Sequence, residues 1–177
     1  MQQPVSQDAG DDRRPGAVLA VYSWDMLLAL LALLGALAAF GGQASVGSRT
    51  VNVGVPEQVL AALSSASFAA LLIILATLLT RRHRWVRVMQ IATLGTAIAL
   101  GAVSLLLAAV VPGQGISASA LTALLVLLID AIVIVALTGA RVVAWYTAPG
   151  SAPRYVSGAL GFWAVSSAVL ILVQALR

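Results

Sequence analysis

The chain has 177 residues, of which 61% are hydrophobic and 9% charged, with a formal net charge of +4 and a mean hydropathy of +1.03. The core of a water-soluble domain of this size cannot absorb that apolar excess, so an ordinary soluble protein is excluded. With no cysteine, the chain has no disulfide framework, thiolate nucleophile or iron–sulfur ligand set.

A bilayer crossing needs roughly 20 mostly apolar residues, and five runs qualify: residues 21–40, 58–80, 88–111, 119–139 and 155–176. The predicted fold is all-α, a polytopic integral-membrane bundle of five helices forming one domain over residues 17–177. Ahead of it, residues 1–16 (MQQPVSQDAGDDRRPG) are polar with Pro and Gly near both ends, and they predict a disordered cytoplasmic tail. Arg13 and Arg14 before an apolar run outline a secretory signal. That run is longer than a signal core, so a retained signal-anchor helix is expected.

In the first span, Tyr22 and Trp24 suit the headgroup region and place Asp25 near the cytoplasmic boundary. There it is expected to form an orientation-fixing ion pair with Arg81, Arg82, Arg84, Arg87 or Arg141. The next segment, residues 41–56, is the longest loop, and its alternating Val51, Val53 and Val55 predict a short extended stretch. Pro56 and Glu57 then suit the first turn of the second helix, through a preset φ and a carboxylate at the positive helix end.

Arg81, Arg82, Arg84 and Arg87 fill the link between the second and third spans, which the positive-inside bias makes cytoplasmic. The same arginines are candidate contacts for anionic lipid headgroups, and His83 among them reads as a solvated loop residue. On the third span, Gln90, Thr93, Ala97, Gly101 and Ser104 share a narrow angular sector. This small-and-polar seam is expected to pack within the bundle or against another subunit. A tight external turn follows at residues 111–117.

The fourth span carries Asp130 near its centre, in VLLIDAIVIV. A charged side chain there costs about 2.5–3.5 kcal/mol on insertion scales, so it should face protein or water and not lipid. In its protonated form the carboxyl both donates and accepts hydrogen bonds across helices. Ser166 and Ser167 of the fifth span lie at matching depth and are its expected partners, so Asp130, Ser166 and Ser167 form the candidate intramembrane polar site. Asp25 is expected roughly half a bilayer from Asp130, too far for a carboxyl dyad.

Alternation of the loops puts eight of the ten basic residues, all arginine, on the cytoplasmic side, leaving Arg49 and Arg177 outside. Trp85, Trp145 and Tyr146 fall at the same ends, and the predicted orientation is N-in, C-out. An arginine-only, alanine- and leucine-rich composition suits a high-GC bacterial genome, so a bacterial plasma membrane is the expected location.

No histidine or lysine lies in a span to activate a nucleophile, and no phosphate-cradling glycine loop or metal-ligand spacing is present. The chain is therefore expected to be non-enzymatic, with no cofactor, no metal and no nucleic-acid partner. The leading expectation is an accessory or scaffold subunit that presents its third-helix seam to another membrane protein or a second copy. The alternative is a small transporter, or a proton or cation pathway, in which Asp130 carries or coordinates the moving charge.

Overall fold

The computed structural model describes residues 15–41, 43–46, 49–52, 54–110 and 118–176. Residues 1–14 of the expected tail, with Arg13 and Arg14, lie outside the described residues, as do Val53, the turn at 111–117 and Arg177. The long helices are α1 (Gly16–Phe40), α2 (Val55–Leu79), α3 (Arg84–Val110), α4 (Ala118–Thr138) and α6 (Arg154–Ala175), with a short α5 (Ala140–Trp145) between the last two. Each of the five long helices is long and apolar enough to cross a membrane.

Two helix starts follow from proline chemistry. Pro15, at φ −57°, caps α1, and Pro56 sits in the first turn of α2 with Glu57 beside it. Proline's missing N–H is harmless there, because the first amides of a helix have no intrahelical acceptor. In consequence α1 begins at Gly16, five residues before the apolar run marked by composition, and α2 begins at Val55. Between them, β1 (Gln43–Val46) pairs antiparallel with β2 (Arg49–Asn52). The extended stretch expected around Val51, Val53 and Val55 thus appears as a hairpin containing Val51, while Val55 is already helical.

The long helices close a ring. The second helix lies between α1 and α6, α6 passes on to α3, α3 packs along α4, and α4 returns to α1 over a short stretch. Burial is deepest on α2, where Leu71, Leu72, Leu75, Ala76 and Leu79 are fully enclosed. The outer surface is apolar: Leu121, Leu124, Leu125, Leu128, Ile132 and Val135 of α4 are each more than half exposed. A continuous apolar exterior of this kind is stable against lipid and unstable in water.

One end of the bundle gathers the arginine-bearing links. Ala148 N–H donates to the Arg82 carbonyl at 2.9 Å and Arg84 N–H to the Ala148 carbonyl at 3.1 Å, tying the α2–α3 link to the segment before α6. The Arg82 guanidinium sits over the Trp145 ring at 5.5 Å. Gly150, at φ +155°, lies in this joint, and a Cβ there would meet Trp85 at 3.4 Å. His83, expected to be solvated, is half-buried against the same glycine, with its Nδ1 enclosed and unbonded. The paired loops close over it.

Candidate functional site

Two polar layers cross the apolar interior. The first, toward the arginine end, begins on α1, where Trp24 Nε1–H donates to Asp130 Oδ1 of α4 at 2.7 Å. The adjacent Asp25 accepts from Gln90 Nε2–H of α3, also at 2.7 Å, through its Oδ1. Asp25 and Gln90 are 0% exposed and Asp130 1%. The two carboxyls, one bonded to Gln90 and the other to the neighbouring Trp24, are close enough to interact electrostatically.

These positions correct the sequence expectations. Asp25 is buried inside the bundle and is not half a bilayer from Asp130. Because α1 starts at Gly16, Trp24 and Asp25 stand about two turns inside the helix, some 12 Å along its axis. Among the described residues Asp25 forms no ion pair with Arg81, Arg82, Arg84, Arg87 or Arg141, and its hydrogen-bond partner is the neutral Gln90. Arg87 also turns inward: it is half-buried, and its Nη1–H donates to the Leu137 carbonyl at 3.4 Å. A cation at the carbonyl end of α4 is electrostatically favourable. Arg81, Arg82 and Arg84 remain exposed.

Beside this layer, Tyr146 is buried and its phenol donates to the Leu79 carbonyl at 3.0 Å. Burial pushes the phenol above its ordinary value, nearby Asp25 adds to the effect, and Arg87 opposes it. Tyr146 therefore stays a neutral donor that locks the segment after α5 onto the end of α2.

The second layer lies nearer the hairpin end and is built from serines. Ser64 Oγ of α2 is 3.0 Å from Ser167 Oγ, with either hydroxyl able to donate. Ser166 Oγ is 2.9 Å from Ser64 Oγ and 3.1 Å from the Trp163 carbonyl, so its single proton serves one of the two at a time. Depth alone assigns Ser166 and Ser167 to Asp130. They meet Ser64 instead, because α6 packs against α2 while the helix facing Asp130 is α1. One turn along, Phe68 and Trp163 stack with centroids 4.3 Å apart.

A cavity of about 610 Å³ with walls from all five long helices runs from Asp130 past the serine layer toward the hairpin end. Asp130 borders it at the arginine end, and Ser64, Ser65, Ser104, Thr122 and Ser167 bring hydroxyls to its walls. Two of the three candidate polar residues, Asp130 and Ser167, thus share one space without touching. Ser166 is buried behind it.

The third-helix seam points into the ring. Gln90 and Thr93 are fully buried, and Ala97, Gly101 and Ser104 border the cavity. A Cβ on Gly101 would lie 2.7 Å from Leu127 Cδ2, so glycine there lets α3 and α4 approach closely. Sequence periodicity places these residues on one face, but it misses Trp24, whose amphipathic ring reads equally well as an interfacial anchor, and Ser64, which reads as a small packing residue.

Fold and site together define an integral membrane protein of five long helices with a partly open cavity bordered, among the described residues, by one carboxyl. Comparison with protein-family models, with curated proteins and with solved structures returns no match.

Proposed function

We propose that this protein is a small, non-enzymatic membrane transport protein that holds its solute in the five-helix cavity and uses Asp130 to carry or coordinate the moving charge. One observation carries the reading: a cavity of about 610 Å³, within the range of about 300–1,000 Å³ usual for small-molecule sites, is bordered by an intramembrane carboxyl. A carboxyl in such a place is costly to insert, and its usual role there is in a substrate or ion path. The accessory-subunit reading rests on the polar face of α3, and that face turns toward the cavity, so among the described residues it offers no polar seam to an outside partner.

We further propose an N-in, C-out orientation in a bacterial plasma membrane, from the arginine distribution and composition. Arg81, Arg82 and Arg84 then contact anionic headgroups at the cytoplasmic surface. Solid-supported-membrane electrophysiology on proteoliposomes, screened with small charged solutes, tests the function. The expected result is a solute-dependent charge displacement in wild type that disappears in Ala97→Leu, which fills the cavity. Absence of any displacement, together with a stoichiometric partner in native mass spectrometry, would return the accessory-subunit reading to first place.

A further inference from the structure

Resting on the transport reading, the charge pattern of the cavity defines a class of ligand. Among the described residues, Asp130 is the only charged side chain on its lining. The neighbouring carboxyl, Asp25, has a neutral amide as its hydrogen-bond partner, and its Oδ2 is enclosed without a donor. The inward-turned cation, Arg87, is committed to the Leu137 carbonyl, about two turns further along α4. Two carboxyls therefore sit in a low-dielectric interior with no basic side chain among the described residues of the cavity lining. An uncompensated negative charge is strongly unfavourable there, and an occupant bearing one positive charge removes that cost.

The remaining walls describe the rest of such an occupant. Phe68 and Trp163 both line the cavity and stack on each other, offering an aromatic surface that attracts a cation as well as apolar groups. Leucine, alanine and valine side chains supply most of the other surface, and Ser64 and Ser167, one helical turn beyond the aromatic pair toward the hairpin end, add hydroxyls. We infer that the cavity binds an organic monocation, a protonated amine or quaternary onium centre on an apolar body, with the charge at Asp130 and the body against Phe68 and Trp163.

Equilibrium dialysis of radiolabelled methyltriphenylphosphonium against the full chain in phosphatidylcholine nanodiscs, with empty nanodiscs subtracted, tests this. Saturable binding is expected in wild type, and Asp130→Asn should weaken it at least about ten-fold. The amide introduced by that substitution keeps an oxygen to accept from Trp24, so the fold is retained. Ala97→Leu should abolish the binding, and tetraphenylborate, an anion of similar shape, should bind no better than to empty discs. No saturable binding of the cation, binding unchanged in Asp130→Asn, or equal binding of the anion would each overturn the inference. Saturable uptake of neutral 1-aminoanthracene, lost in Ala97→Leu, would in those cases preserve the transport reading while rejecting a cationic ligand. If Ala97→Leu alters binding of none of the probes, both readings fall.

Discussion

Asp25 and Asp130 are the same residue type, both buried and close enough to interact electrostatically, yet their surroundings differ. The Asp25 carboxyl is enclosed by packed side chains, bonded to Gln90 and absent from the cavity lining. Asp130 is held on one side by Trp24 and borders the cavity on the other. Depth in a membrane thus does not by itself distinguish a structural carboxyl from a functional one. What separates them is that Asp130 borders the cavity and Asp25 does not.

The unpaired atoms around Asp25 sharpen the contrast. Asp25 Oδ2 and Gln90 Oε1 are both enclosed acceptors without a donor, on two residues already joined by one hydrogen bond. A proton on Oδ2 would let it donate to Oε1 and close a two-bond pair, with the amide and the acid each giving and receiving once. That arrangement is complete in itself and has no need of a ligand.

The largest stability effect should come from breaking this pair. Gln90→Leu leaves the Asp25 carboxyl buried without its amide partner and should lower unfolding free energy by about 1–3 kcal/mol. Asp25→Asn, which can rebuild both bonds amide to amide, should stay within about 1 kcal/mol of wild type. Reversible unfolding in mixed micelles measures both, and equal losses would mean that the charge of Asp25 is itself required. A smaller effect belongs to Tyr146→Phe, which removes one hydrogen bond worth about 1 kcal/mol. Burial raises the Tyr146 phenol in the folded protein, so above about pH 10 only the unfolded chain releases that proton. Wild type should therefore lose stability as pH rises past that point, and Tyr146→Phe should lose less. Identical slopes in thermal melts across that range would contradict the locked-phenol account.

Much of the fold is legible in the sequence because a membrane span is written as one long apolar run. All five appear within a few residues of their observed limits, and the arginine-bearing links do lie together at one end. The five-residue error at the start of α1 has the largest consequence. Gly16 through Ala20 read as flank, and discounting them moves Trp24 and Asp25 to the surface. Angular periodicity also gathers Gln90, Thr93, Ala97, Gly101 and Ser104 correctly onto one face. Periodicity orders residues around a single helix and says nothing of which helix stands opposite, so it matches Asp130 to serines at its depth on α6 when α1 is its neighbour. The six-residue α5 is too short to leave a periodic signal.

The claim that the buried Asp130 borders the cavity while Asp25 does not can be tested by labelling the purified protein in nanodiscs with dicyclohexylcarbodiimide, an apolar reagent that adds to protonated carboxyls, and mapping the adducts by peptide mass spectrometry. The account predicts an adduct on Asp130, blocked by Ala97→Leu, with Asp25 unmodified. Modification of Asp25 to the same extent, or an unmodified Asp130, would contradict it.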